Sequence, residues 1–313
     1  MSVTGIKIKD FTVFKDFSLE PNSRINVIIG ENGTGKTHLL KLIYAAALSR
    51  NKQVNEADAV FDFPPGFDYS VGIKIAGNNG SDSESASALI ESSTEYMPIF
   101  IPAKEMPSIS RFTNVADQFK KSMALDPTLT DVIRMGQHEI PDNPTALAQK
   151  LTPKLEKIIE GTVFIRHSDK TFWIRKHNGM EIPFWLEAEG IRKFALLWQL
   201  LMNHNLNEGD VLLWDEPEAN INPLLIPELT DIIVELSQNN VQVFCATHSY
   251  MFAHYLDLRK KSTDNVSFVS LYKSDGVIKT SIADSYSSLQ VNPIEASEQK
   301  LYEAVVEKAL EDK

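Results

Sequence analysis

Apolar and polar residues alternate through three opening segments, VTGIKIKDF from residue 3, FKDFSLE from residue 14 and RINVII from residue 24, which predicts short strands with one face buried. The third segment runs straight into the glycine-rich stretch GENGTGKT, after which Leu39, Leu40, Leu42, Ile43, Ala46 and Ala47 recur at helical spacing. The predicted order is therefore strand, loop, helix. Residues 69–75 and 96–102 read as further strands, separated by GNNGSDSESAS, a polar stretch suited to a surface loop with a mobile tip. From about residue 104 to 160 the pattern turns helical, but Pro107, Pro127, Pro141, Pro144 and Pro153 interrupt it, which predicts several short helices in place of one rod.

A hairpin follows (TVFIRHS, then KTFWIRK), then a helix from about Gly190 to Met202, a strand VLLW at 211–214, a helix from Pro223 to Gln238 and a strand VQVFCA at 241–246. That alternation predicts a sheet covered by helices, an α/β core with a β-rich entry. Residues 266–281 read as a hairpin and a final helix starts near Pro293. There is no internal repeat, and no sustained heptad pattern that would make a long coiled coil.

Composition narrows the function classes. A chain of 313 residues that is 43% hydrophobic can fill one large core or two lobes. No apolar run approaches the roughly 18 residues needed to cross a bilayer, so no membrane role is expected. The N-terminus lacks the basic-then-apolar pattern of a secretory signal, and the single cysteine, Cys245, leaves no internal disulfide; both fit a cytoplasmic location. With 31 basic against 42 acidic residues the net charge is −11, which does not favour nonspecific nucleic-acid binding. Lys120-Lys121 and the run from Arg259 to Lys261 read best as solvated surface charge.

Gly30-Glu31-Asn32-Gly33-Thr34-Gly35-Lys36-Thr37 fits the pattern G-x-x-x-x-G-K-[ST] in a strand-loop-helix setting. Glycines let backbone N–H groups turn inward around phosphates, and the helix that follows adds its positive end. Lys36 is expected to reach the β- and γ-phosphates of ATP, and the Thr37 hydroxyl to ligate Mg²⁺. Downstream, Val211-Leu212-Leu213-Trp214 forms a buried strand that ends on Asp215 and Glu216. Ligands gather at the carboxyl ends of parallel strands, so Asp215 is expected beside the magnesium shell, with Glu216 as general base for the attacking water. Thr247-His248-Ser249 follows the next strand, which puts His248 within range of the γ-phosphate.

GENGTGKT, WDEPEANINP and ATHS, in this order and at these spacings, resemble the ABC-type ATPase head shared by RecF, SMC proteins and the OLD-family ATPases. The opening KDFTVFKDFSLEPNSRINVIIGENGTGKTHLLKLI is similar to the start of those heads. The resemblance implies a P-loop NTPase fold with a mixed sheet core, an N-terminal antiparallel β subdomain and a helical lobe. The chain then divides into an N-terminal core part at 1–103, a helical lobe at 104–204 and a C-terminal core part at 205–313. It also implies a homodimer that sandwiches two nucleotides, with Asp215 on Mg²⁺, Glu216 as base, His248 as switch histidine and Asn222 at the D-loop position that crosses the interface. Independently of family, Asn222-Pro223 is a good N-cap followed by a first-turn proline.

Two departures bear on mechanism. Where such heads carry a serine in their signature segment, Leu186-Glu187-Ala188-Glu189-Gly190-Ile191-Arg192 offers Ala188, with no hydroxyl for the partner's γ-phosphate. Glu189 would complement the helix dipole but repel a phosphate, and Arg192 and Lys193 are candidates to compensate. The alternative is an amphipathic core helix built on Phe194, Leu197, Trp198 and Leu201. The loop IFIPAKEM has no coupling glutamine; Lys104 or Glu105 could replace it or simply face solvent.

Three functions compete. The first is an ATPase subunit of a DNA repair or anti-phage defence complex controlling a separate nuclease or toxin, with DNA as a further candidate partner; the end at Lys313 leaves little room for a nuclease in the same chain. The second is the ATP-binding subunit of a membrane transporter, disfavoured by residues 186–192. The third is a non-hydrolysing ATP-dependent scaffold or sensor. Phe11 and Phe14 are candidate adenine platforms, with strand-core packing the stronger reading.

Overall fold

A computed structural model of the chain describes residues 3–51, 71–75, 88–93, 96–104, 106–110 and 127–311. The loop GNNGSDSESAS, Glu105 and Lys120-Lys121 lie outside the described residues.

The three opening segments are strands β1 (Val3–Phe11), β2 (Phe14–Leu19) and β3 (Ile25–Gly30), and their burial patterns send them to different sheets. β1 and β2 alternate and pair antiparallel. With β5 (Ala88–Ser92) and β4 (Val71–Ile75) they make a four-stranded sheet in the order β2-β1-β5-β4. β3 is buried at every position, as a strand covered on both faces must be. Its one polar side chain, Asn26, is satisfied by the backbone of Asn22, donating to its O at 2.8 Å and accepting from its N at 2.7 Å.

β3 belongs to a six-stranded sheet ordered β13-β12-β3-β11-β10-β6, which includes β6 (Pro98–Ile101), β10 (Val211–Asp215), β11 (Gln242–Thr247), β12 (Val266–Ser274) and β13 (Val277–Ala283). All neighbours are parallel except β12 and β13, which form the predicted hairpin. Alternate residues of these strands enter two cores. Ile28, Leu213, Phe244 and Ala246 pack with helix α1 (Lys36–Asn51) and the four-stranded sheet. Val27, Ile29, Leu212, Trp214, Val243 and Cys245 face the opposite, helical layer.

That second layer contains α2 (Pro127–Gly136), α3 (Ala146–Ile159), α4 (Glu189–Met202), α5 (Ile226–Gln238) and α6 (Tyr250–Arg259). A three-stranded antiparallel sheet, β7 (Gly161–Arg166), β8 (Thr171–Lys176) and β9 (Glu181–Pro183), flanks it, and α7 (Pro293–Glu311) ends the described chain. The architecture is the mixed α/β head expected. No helix among the described residues is long and apolar enough to cross a membrane.

Four expectations need adjustment. RINVII is expected to bury one face, but β3 is covered on both because it lies inside the six-stranded sheet between α1 and the helical layer. Pro153 does not end a helix but lies inside α3. It sits on the exposed side of the helix, as does Gln149, so water can take the carbonyl left without an N–H partner. The helix expected from Pro223 begins with a 3₁₀ turn, Pro223–Leu225, and becomes α-helical at Ile226. A continuous α-helix would need the N–H of residue 227 to bond the Pro223 carbonyl, and residue 227 is proline; the Ile226 N–H bonds it instead. Phe11 and Phe14 are fully buried, which makes them core residues and removes them as adenine platforms.

Candidate active site

The parallel register brings three strand ends together. Thr247 of β11 pairs with Ile29 of β3, and Asp215 of β10 pairs with Ala246 of β11. Gly30, Asp215 and Thr247 therefore emerge on one edge of the sheet, although more than two hundred residues separate the first from the last.

The loop after β3 owes its shape to its glycines at two close approaches. A Cβ on Gly30, whose φ is +153°, would lie 2.4 Å from the Leu271 carbonyl oxygen of the neighbouring strand. A Cβ on Gly35, at φ +93°, would lie 2.6 Å from Phe14 Cζ and 2.7 Å from Val13 Cγ2. The turn between β1 and β2 thus sits directly on the loop. Thr34 is buried and donates to the Glu31 carbonyl at 2.9 Å, while Glu31, Asn32 and Gly33 form the exposed rim. Helix α1 starts at Lys36, leaving its first N–H groups facing the loop.

Lys36 folds back over the loop, Nζ donating to the carbonyls of Gly30 at 2.8 Å and Glu31 at 3.0 Å. Burial lowers its pKa, opposed by the charges of Glu216, Asp215 and Glu218. Thr37 Oγ1 donates to Asp215 Oδ2 at 2.8 Å across 178 residues of sequence. Burial raises the Asp215 pKa, and the Thr37 hydrogen bond pulls the other way. Glu216 Oε1 lies 3.0 Å from His248 Nδ1, and both side chains are partly open to solvent. Lys36, Thr37, Asp215, Glu216 and His248 thus form one cluster beside the glycine-rich loop. That donor set suits Mg²⁺, which takes one or two protein oxygens and keeps the rest of its shell for water and phosphate.

The signature-like segment has a different character. Ala188 occupies the N-cap of α4 and makes no side-chain cap. Neither basic residue behind it is displayed to stand in for a hydroxyl. Arg192 donates to the Phe184 carbonyl at 3.1 Å, and Lys193 is buried with Nζ 3.0 Å from the Glu216 carbonyl. Phe194, Leu197, Trp198 and Leu201 are core, so the helix is also the amphipathic core element of the alternative reading. Asn222 is exposed and caps the 3₁₀ turn by accepting from the Leu224 N–H at 3.0 Å. Lys104 is exposed. Arg259 pairs with Asp231 in the open, as solvated surface charge does, whereas Lys260, only 18% exposed, pairs with Asp257 at 2.7 Å over the Phe268 ring and departs from that reading.

Glu218 was given no role by the sequence, and Lys193 was considered there only as a stand-in for the missing hydroxyl. Glu218 is half-buried, accepts from Thr247 Oγ1 at 2.5 Å and has its other, buried oxygen without a partner. Burial raises its pKa. Lys193, 1% exposed, has its pKa pushed down to about 8 by burial against the pull of Glu218, Glu189, Glu216 and Asp215. A lysine beside the apolar positions of α4 was the available signal.

Comparison with known proteins agrees with this geometry. One family model, described as "AAA domain, putative AbiEii toxin, Type IV TA system", matches residues 104–252, and another, described as "AAA domain", matches residues 6–141. The DNA replication and repair protein RecF of Chlorobium phaeovibrioides is 32% identical over 118 residues, which cover 35% of this chain and 32% of the relative. RecF of Lactobacillus gasseri is 34% identical over 80 residues, covering 26% of this chain and 19% of the relative. The matches thus span a third or less of the length of these curated relatives. Among solved structures, an SMC head bound to the C-winged helix domain of ScpA aligns over 90% of this chain and 98% of its own at 13% identity and a TM-score of 0.49. On its AAA-domain matches, its RecF relatives and its own P-loop and sheet order, the chain carries an AAA-domain ATPase head similar to that of RecF.

Proposed function

We propose that the chain binds Mg-ATP at Gly30–Thr37 and hydrolyses it, with Glu216 accepting the proton of the attacking water. The observation that carries this reading is the 2.8 Å hydrogen bond between Thr37 and Asp215, which unites the loop and the carboxylate strand at one point. Thr37 and Asp215 would hold Mg²⁺, which when bound neutralises charge on the β- and γ-phosphate oxygens. Lys36 exchanges its loop carbonyls for phosphate oxygens as ATP enters. Glu31, Asn32, Gly33, Thr34 and Gly35 offer backbone N–H groups to the phosphates, and His248, beside Glu216, orients that carboxylate and donates to the γ-phosphate.

Two copies sandwich two nucleotides, with the exposed Asn222 crossing between them, and the segments 1–103, 104–204 and 205–313 act as core, lobe and core. In the cytoplasm, this dimer would control a separate nuclease or toxin in DNA repair or anti-phage defence, with DNA as a further partner. Relatives named for DNA replication and repair, and a family described by a toxin system, support that reading. The test is phosphate release by wild type and Glu216→Gln, joined to native mass measurement under saturating ATP. Wild type should be at least a hundredfold faster, and the variant should be an ATP-loaded dimer. Equal rates remove Glu216 as base; a monomeric variant removes the sandwich.

A second reading, an ATP-dependent assembly sensor that does not hydrolyse, is favoured by the uncapped Ala188. It predicts ATP-dependent dimerisation of the wild type with no phosphate release above the Glu216→Gln background.

A further inference from the structure

Lys193 has no part in the chemistry above, yet it is among the largest fully buried side chains of the described structure. Burying an ammonium is costly unless its donors are used. Here they end on backbone flanking the proposed base: the Glu216 carbonyl at 3.0 Å and the Pro217 carbonyl at 3.5 Å. The charges around it belong to Glu218, Glu189, Glu216 and Asp215.

Glu216 has φ +46°, a left-handed backbone that a glutamate keeps only where its surroundings hold it. Its N–H is held by the Ala246 carbonyl at 2.8 Å, and its own carbonyl by Lys193. The same helix meets this loop twice more. Asn220 Nδ2 donates to Glu189 Oε1 at 3.0 Å. A Cβ on Gly190 would lie 2.9 Å from the Asn220 carbonyl oxygen and 3.0 Å from Ile221 Cα, so helix and loop are in backbone-close contact. The first turn of α4 and residues 215–221 are therefore packed together at three points.

We propose that Lys193 is a positioning residue for Glu216: from inside α4 it holds the left-handed peptide that aims the base, so whatever seats on the first turn of α4 resets the carboxylate. The inference rests on the hydrolysis reading. It also gives the buried lysine a use that does not require Ala188 to touch a phosphate.

The test compares Lys193→Met, which keeps the volume and removes the donors, with Lys193→Arg, which restores a cation. Nucleotide affinity of Lys193→Met should stay within about twofold of wild type, because the P-loop is untouched, while kcat falls about tenfold or more. Lys193→Arg should recover part of kcat, which a loss of folding would not allow. Leu197→Ala, which opens a cavity in the same helix without touching the loop, should keep kcat within about twofold. Gly190→Ala, which pushes on Asn220 and Ile221, should repeat the selective loss of kcat and decides the matter if Lys193→Met does not fold. Wild-type kcat in Lys193→Met or in Gly190→Ala, or an equal loss in Leu197→Ala, overturns the coupling while leaving hydrolysis intact. A wild type no faster than Glu216→Gln overturns both readings.

Discussion

Gly33 and Gly35 look alike in the loop sequence, but their surroundings predict different responses to alanine. Gly33 has φ +75° with nothing within 4 Å of an added Cβ, so Gly33→Ala carries backbone strain alone, about 1–2 kcal/mol. Gly35 has φ +93°, and its Cβ would meet Phe14 Cζ at 2.6 Å and Val13 Cγ2 at 2.7 Å. Carbon atoms rest about 3.5–4.0 Å apart, so the contact is short by roughly 1 Å and the loop must lift or the β1–β2 turn must retreat. Phe14 is fully buried and cannot swing away freely. Overpacking of this kind costs about 1–3 kcal/mol, which brings Gly35→Ala to about 2–5 kcal/mol. At about 2–4 °C per kcal/mol, Tm should fall roughly 4–20 °C for Gly35→Ala and roughly 2–8 °C for Gly33→Ala. Calorimetry of the nucleotide-free proteins, made side by side, isolates the steric difference. ATP titration of the same pair should find the larger loss of affinity at Gly35, where the loop itself is displaced. Equal falls in Tm would refute the claim that the β1–β2 turn seats the phosphate loop.

Three further outcomes follow from individual residues. Burial raises the Asp210 pKa to about 6, so its folded form holds a proton that the unfolded chain releases near pH 4; the stability this brings is present at low pH and lost as pH rises through about 6. Asp210→Asn should flatten that slope and add about 1–2 kcal/mol at pH 7.5 after allowing for partial solvent screening, and an unchanged urea midpoint at both pH 4 and pH 7.5 would contradict the burial argument. Lys36→Ala removes the only side-chain cation of the loop and should weaken ATP at least a hundredfold, about 2.7 kcal/mol; an unaltered Kd by calorimetric titration is incompatible with its proposed contact. Thr247→Val leaves both oxygens of half-buried Glu218 without a side-chain donor and should destabilise the fold by about 1–3 kcal/mol in urea unfolding, where a change under 0.5 kcal/mol would argue against that hydrogen bond.

Most of the architecture was legible because it depends on local pattern. Alternation identified β1 and β2 as half-covered strands but did not foresee that β3 is buried on both faces, while the β-α-β rhythm around Asp215 predicted that β10 and β11 would be neighbours, as their parallel register shows. The P-loop, the carboxylate pair and the Thr-His-Ser turn were each readable at a strand end. Local pattern misled where a rule depends on what lies outside the segment. Pro153 is a breaker by propensity, but its side of α3 faces water, and Phe11 and Phe14 could be placed only once a second sheet covered them. The proline at 227 was visible in the sequence, and its position four residues after Pro223 could have predicted the 3₁₀ turn.

The sequence by itself determined the chemistry offered at each strand end: glycines with a lysine and a threonine at Gly30–Thr37, two carboxylates at Asp215 and Glu216, a histidine at 248. These follow from residue type and from the period of the strands and helices that carry them, both of which are local properties. Tertiary structure decided which of these groups meet and what holds them. Only the parallel register places Thr37 against Asp215, only the packing of β2 makes Gly35 intolerant of a side chain, and only the inward face of α4 turns Lys193 into a support for Glu216. Those distances depend on how separate segments pack, and no single segment encodes the surface it will face.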